Sequence, residues 1–168
     1  MRLRPYKTMD AAHVTQWIEG REAFAKWCAD LIAYPLTEAS MAAIATQYEG
    51  METGWFFTAL DEGGTPIGFF MMRANYQENS SHLGFVVVDP TKRGKGYGQE
   101  MIRLAVQYSY QILGVERVTL SVFDCNENAH SCYLKVGFRD ECHEEGCFLF
   151  EGKAWGRYKM AIGAEAVK

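Results

Sequence analysis

The stretch Arg93-Gly94-Lys95-Gly96-Tyr97-Gly98 alternates three glycines with other residues, two of them cations, shortly after an apolar run that ends at Asp89-Pro90. Glycine lets backbone N–H groups approach a phosphate closely. A helix that starts at such a loop adds unpaired N–H donors and the positive end of its dipole. Arg93 and Lys95 add charge, so the chemistry on offer is the holding of a phosphate or pyrophosphate. Phosphate cleavage is disfavoured: no Gly-Lys-Ser/Thr step supplies a hydroxyl for Mg²⁺, and the glycine spacing misses the GxGxxG fingerprint of dinucleotide folds. A flexible surface turn is the plain alternative for so short a motif.

Roughly thirty residues further on, Asp124-Cys125-Asn126-Glu127 closes a β-branched run and opens a helical stretch to Val136, stopped by Gly137. With Asn126 at the start of that helix, Ala129 and Tyr133 are four apart and share a face, the alanine leaving room for something to lie against it. Taken alone, Tyr133 reads as readily as a core aromatic, and Asn126 as an ordinary helix cap. His82, at the entry of the apolar run Leu83 to Val88, and Glu78, before it, are further proton-transfer candidates.

The elements that must position these groups are legible in outline. Leu3 to Tyr6 reads as a short strand, Asp10 as the cap of a helix carrying Ala11, Val14, Trp17 and Ile18, and Glu22 to Leu31 as a second helix. Thr37 caps a third that runs through Tyr48. Trp55 to Leu60, the turn Asp61 to Gly64 and Ile67 to Met72 make a hairpin. His82 to Val88, with its nearly unbroken apolar end, suits a central strand buried on both faces. The glycine loop feeds a helix from about Gln99 to Leu113. Arg117 to Phe123 is another strand, and Cys147 to Phe150 with Trp155 to Ile162 a last hairpin. This is an α/β (α+β) chain with helices packed on a mixed sheet, and the absence of repeats or a linker suggests one domain, 1–168.

Composition narrows the partners. A net charge of −4 gives no general attraction to nucleic acid or anionic membranes, and no apolar run approaches the ~18 residues of a membrane span. Five cysteines without CxxC spacing read as reduced thiols, and Cys142, His143 and Cys147 lack a second ligand pair, so no metal is expected. Met1 to Pro5 lacks the apolar core of a signal peptide, and a cytoplasmic location is the default expectation.

The two constellations together resemble the GCN5-related N-acetyltransferase family. Arg93, Gly96 and Gly98 match its loop pattern Arg/Gln-x-x-Gly-x-Gly/Ala, and Asn126, Ala129, Tyr133, Gly137 and Phe138 match its later pattern Asn-x-x-Ala-x-x-x-Tyr-x-x-x-Gly-Phe. The resemblance runs from about Trp55 to the end and includes the opening, with Leu3-Arg4-Pro5, Asp10 and Trp17. The stretch Glu22 to Tyr48 has no specific match.

The resemblance implies an acetyl-CoA-dependent N-acetyltransferase, with a mostly antiparallel sheet whose middle strands splay. Val86, Val87 and Val88 would pair through their backbone with the pantetheine arm. Arg93, Gly94, Lys95, Gly96, Tyr97 and Gly98 would hold the pyrophosphate, and Asn126 would touch the arm from the opposite side. Tyr133 would protonate the departing thiolate, and a backbone N–H near Val87 or Val88 would receive the oxyanion of direct amine attack. The carboxylate base of many relatives has no counterpart: Ser121 stands on the strand where it can sit, which leaves His82, Glu78 or a water chain. The acceptor, a small-molecule or protein amine, would meet the first helices, where Glu22, Trp27, Tyr34 and Glu38 lie. A binding module with little or no transferase activity is the alternative, and homodimers are common in the family.

Overall fold

The computed structural model describes residues 1–163, and all seven of its strands join one sheet in the order β1-β2-β3-β4-β5-β7-β6. In chain order the elements are β1 (Arg2–Pro5), α1 (Ala11–Trp17), α2 (Arg21–Cys28), α3 (Glu38–Glu49), β2 (Gly54–Leu60), β3 (Pro66–Asn75) and β4 (Ser80–Val88). They continue with α4 (Tyr97–Gln111), β5 (Arg117–Phe123), α5 (Glu127–Val136), β6 (Arg139–Phe150) and β7 (Lys153–Gly163). Every neighbouring pair is antiparallel except β4 and β5, which run parallel and need the crossover that α4 supplies.

One core lies on each face of the sheet. On one, α4 and α5 bury Met101, Ile102, Ala105 and Tyr133 against Phe70, Met72, Leu83 and Leu120. On the other, α1 to α3 bury Val14, Phe24 and Met41 against Phe56, Phe69, Phe85 and Val87. Neighbours in β3 thus face opposite cores, Phe69 one and Phe70 the other, as the two-residue period of a strand requires. Both rings are essentially inaccessible, and truncating either to alanine would cost about 3–5 kcal/mol.

Local chemistry fixes the ends of the elements. Thr37 caps α3, its Oγ1 accepting from the Ser40 N–H at 3.1 Å. Gly137, at φ 115, ends α5 in a left-handed turn. Asp10 departs from the cap that its position predicts. Its side chain makes no helix-cap bond. The carboxylate instead accepts two bonds from Arg4, both 2.7 Å, one from Thr58 Oγ1 at 2.8 Å and one from the Lys7 N–H at 2.9 Å. Burial pushes its pKa up, but Arg4, Lys7 and Thr58 outweigh that and hold it below the ordinary carboxylate value. Asp10 therefore rivets β1 and β2 to the start of α1.

The last hairpin is larger than the sequence pattern predicts. β6 begins at Arg139, not near Cys147, and its first residues pair with β7 from Ala161 back to Arg157. It is the sheet's edge, carries Arg139, Asp140, Glu141, His143, Glu144 and Glu145, and shifts register twice, so no apolar alternation marks it. α4 also starts two residues earlier than expected, at Tyr97.

Candidate active site

The loop from Arg93 to Gly98 leaves β4 through a short turn in which Asp89 Oδ1 accepts from the Thr91 N–H at 2.8 Å and its hydroxyl at 2.7 Å. Gly94 and Gly96 adopt φ 75 and 84, a region that disfavours any residue with a side chain. Nothing lies within 4 Å of where a Cβ would sit on either, so conformation, not protein packing, calls for glycine there. Gly96 is the N-cap of α4, and its carbonyl accepts from the Glu100 N–H at 3.0 Å. The first N–H groups of α4 thereby open onto the loop, as helix starts require. Arg93 Nε donates to the Val88 carbonyl at 3.3 Å and folds back over the end of β4, while Lys95 is exposed.

Beside the loop the sheet comes apart. β4 and β5 pair only from Ser80↔Arg117 to Leu83↔Leu120. Beyond that point β4 continues to Val88 and β5 to Phe123 without pairing to each other, which leaves a gap whose walls are strand backbone. A bulge in β4 shapes the gap. Met71 pairs with Gly84 and Phe69 with Val87, so Phe85 and Val86 together oppose Phe70. The extra residue inverts the alternation: Leu83 faces the α4 core, but after the bulge Val86 and Val88 do so while Phe85 and Val87 face the other. Phe85 sits at φ 51, a conformation that costs a non-glycine residue about 1–3 kcal/mol.

The ladder decides which amides can reach the gap. The Asp89 N–H donates to the Ile67 carbonyl at 2.9 Å, which makes Gly68↔Val88 a non-bonded pair and Phe69↔Val87 a bonded one. The Val87 amide is thus directed at β3, which leaves Val88 as the member of the expected pair whose amide faces the open side. Val86 is one of the two bulge residues that oppose Phe70.

Across the gap, Asn126 precedes α5 with φ −105, and its side chain makes no helix-cap bond. The plain capping role is not the one it plays, and its amide is free of that duty. α5 brings Cys132 beside the loop: a Cβ on Gly98 would lie 3.5 Å from Cys132 Sγ and 3.8 Å from Val88 Cγ2. Loop, α5 and the end of β4 therefore meet at one place. Tyr133, next to Cys132, is 7% exposed and packs in the α4 core, its ring 6.1 Å from that of Phe138. Its hydroxyl makes no hydrogen bond among the described residues. Burial, with a smaller contribution from Cys132, raises its pKa well above the ordinary phenol value. It is a core aromatic and a protonated phenol at once.

His82 stands at the foot of the gap. Its Nδ1 lies 2.9 Å from Thr119 Oγ1, whose own hydrogen is directed to the Ser81 carbonyl at 3.2 Å. In the tautomer in which that hydrogen goes to Ser81, Nδ1 carries the imidazole proton and Nε2 keeps a free lone pair. Burial, and then the positive charges of Arg73 and Arg157, push its pKa down to about 4. His82 is a neutral acceptor under ordinary conditions. It lines a cleft of about 570 Å³ with Arg73, Tyr76, Glu78 and Thr119. Glu78 lies exposed in the β3–β4 turn, and Ser121 is exposed on β5 opposite Lys159. A cleft of about 630 Å³ between Asn79, Arg117 and Asp140 contains none of the loop residues.

The residues expected to meet an acceptor do not form one box. Glu22 is ion-paired with Lys26 at 2.6 Å, and Tyr34 packs on Phe24 at 5.3 Å with Arg21 over its ring. Glu38 sits in the first turn of α3. Trp27 alone of these reaches the β4 bulge, donating from Nε1 to the Phe85 carbonyl at 2.7 Å. Thr119 and Phe85 carry no signal of their own in the sequence: both read as ordinary strand residues. No group of three or more His, Cys, Asp or Glu among the described residues is placed to hold a metal, and none of the described helices is long and apolar enough to cross a membrane.

A splayed parallel pair, a glycine loop at the head of a crossover helix and a tyrosine on the next helix define a class of acyl-coenzyme enzymes. The Acetyltransferase (GNAT) family model matches residues 18–138, and the chain belongs to that family. Among curated relatives, a spermidine N(1)-acetyltransferase of Vibrio cholerae is 29% identical over 92 residues, 55% of this chain and 53% of that protein. A mycothiol acetyltransferase of Salinispora tropica is 31% identical over 86 residues, 49% of this chain and 28% of that protein. The aligned stretch thus spans about a quarter to a half of these relatives. Among solved structures, spermidine N-acetyltransferase from Vibrio cholerae in complex with CoA and spermine superposes with a TM-score of 0.85 at 21% identity, over 98% of this chain and 96% of that one. That likeness speaks for the fold.

Proposed function

We propose that this chain, as one domain, transfers the acetyl group of acetyl-CoA to a primary amine of a small-molecule acceptor. The observation that carries the reading is the gap itself: β4 and β5 part at Leu83 and Leu120 with the glycine loop at one end and Asn126 and Tyr133 across from it. Open backbone on β4 suits the amide-rich pantetheine arm, which would add to the sheet edge through Val86 and Val88. The loop N–H groups from Gly94 to Gly98, with Arg93 and Lys95, suit the pyrophosphate. The fit is good because the space over Gly94 and Gly96 is open on the ligand side.

The reaction is direct attack. The amine nitrogen bonds to the thioester carbon, the oxygen becomes an oxyanion facing the Val86 amide in the bulge, and the C–S bond then breaks as Tyr133 gives its proton to the sulfur. Burial raises the Tyr133 phenol, which keeps it protonated until the thiolate departs. His82 Nε2 takes the proton of the attacking nitrogen, directly or through one water. With a pKa of about 4 it does not deprotonate a free ammonium. The amine must arrive neutral, and Arg73 and Arg157 favour that form. As the C–S bond breaks the nitrogen takes on amide character, becomes far more acidic and yields its proton to a weak base.

The decisive experiment measures thiol release from acetyl-CoA over a panel of amines, with spermidine and spermine first because relatives are named for them. Peptide amines form a second arm. Release with any member supports the reading, and coenzyme binding without release from all would replace it by a regulatory binder. Five free cysteines, with Cys125, Cys142 and Cys147 exposed, suit a reducing compartment such as the cytoplasm.

A further inference from the structure

The β4 bulge is held from outside the sheet. Trp27, on α2, donates its indole N–H to the carbonyl of Phe85 at 2.7 Å across 58 positions of sequence. Its ring also packs against the Phe85 ring at 5.2 Å and the Phe69 ring at 6.3 Å. Phe85 is the bulge residue with positive φ, its side chain gripped further by Tyr48 and Phe56. α2 is braced in turn on the far half of the sheet, where Ala25 packs with Phe123, Phe150 and Trp155.

A trans peptide directs its C=O and N–H in opposite directions within one plane. The peptide whose carbonyl Trp27 holds is the one whose N–H belongs to Val86. Fixing the Phe85 oxygen towards α2 therefore fixes the Val86 N–H away from it, and a donor on the carbonyl also polarises the same amide and strengthens it as a donor.

We infer that Trp27 is a positioning residue of the transferase: through the Phe85–Val86 peptide it aims and strengthens the amide that stabilises the oxyanion. This rests on the acetyl-transfer reading for its consequence, but not for its geometry. The sequence shows Trp27 only as one aromatic of the first helices, and its act is on the donor side of the reaction, not on the acceptor.

Two replacements separate the N–H from the ring. Trp27→Phe keeps an aromatic and loses the donor. β-(3-Benzothienyl)alanine in place of Trp27 keeps the bicyclic outline with sulfur where the N–H was, and so guards against simple repacking or failure to fold. In coenzyme-free protein the residual dipolar coupling of the Val86 N–H should change in both, with that of Val87, bonded to β3, unmoved. With [1-¹³C]acetyl-CoA bound, the carbonyl stretch should return towards its value in free acetyl-CoA. Turnover should fall about tenfold or more while the Kd for CoA stays within about twofold, since losing an oxyanion donor outright costs about 10²–10³. An unchanged Val86 coupling overturns the clamp whatever the kinetics. A changed coupling with unmoved kcat overturns its role in transfer. Wild-type protein that binds no acetyl-CoA and releases no thiol sinks the proposed function, and the Val86 coupling still decides the clamp.

Discussion

Acid titration of His82 gives the sharpest test of how the amine loses its proton. The imidazole is held to Thr119 through Nδ1, is faced by Arg73 from β3 and Arg157 from β7, and has its pKa pushed down to about 4, where an ordinary histidine titrates near 6.5. At about pH 5.5 such a group is roughly 97% neutral, whereas an unperturbed one would be only about 9% neutral. Loss of the neutral amine already gives kcat/KM a slope of about one with pH, and titration of His82 should steepen that slope near pH 4, not between 6 and 7. The same shift bears on stability with a definite sign. Between about pH 6.5 and 4 the unfolded chain binds a proton at this position that the folded one refuses, so stability is fully present above 6.5 and drains away as pH falls. The difference of about 2.5 units corresponds to on the order of 2–3 kcal/mol after allowing for partial solvent screening. Urea denaturation from pH 4 to 8, in wild type and His82→Gln, measures the second effect, and thiol release over the same range the first. His82→Gln should flatten the stability slope in that window and slow turnover at every pH. A second break near 6.5 in the wild type, or one near 4 that survives in His82→Gln, would refute the assignment.

Other outcomes follow from single contacts. Gly98→Ala adds a methyl only 3.5 Å from Cys132 Sγ, an ordinary contact, so the melting temperature should hold within about 2 °C while CoA affinity drops by about tenfold or more, read by calorimetry. Gly96→Val must force a branched residue to φ 84 and should abolish CoA binding with the circular dichroism of the fold retained. Tyr133→Phe removes a hydroxyl with no hydrogen bond among the described residues, so stability should be unchanged and kcat should fall about 10²–10⁴-fold at nearly constant KM for acetyl-CoA. Asp10→Asn strands Arg4 and should cost about 2–3 kcal/mol in urea denaturation, whereas Tyr6→Phe removes a buried hydroxyl that has no partner and should be neutral or stabilising by up to about 1 kcal/mol.

Elements whose apolar pattern agrees with their burial are the ones the sequence shows. β4 as a buried central strand, the glycine loop, α4 and α5 all fall close to where Leu83 to Val88, Gly94 to Gly98 and Asn126 to Gly137 place them. The edge strand β6 is hidden because an edge needs charge, not alternation, and Arg139 to Glu145 read as loop. The bulge at Phe85 is invisible for another reason: three valines and a phenylalanine are apolar in either register, so the inversion of faces leaves no trace in composition. Asp10 looks like a cap because aspartate before a helix usually is one, and its partners Arg4 and Thr58 come from two different strands. Likewise, the link from Trp27 to Phe85 spans too much chain for any local pattern to show.

The parting of β4 from β5 leaves the molecule in two slabs, four strands against three, stitched by four residue pairs and the helices that cross the seam. A ligand lying in that seam is then a structural member as much as a reactant, a splint laid along a cracked plate. Amides on both slabs should gain protection from hydrogen exchange together when acetyl-CoA binds, because stabilising the seam raises the free energy of opening either side. Supply of the coenzyme would thus govern how long the protein lasts as well as how fast it works.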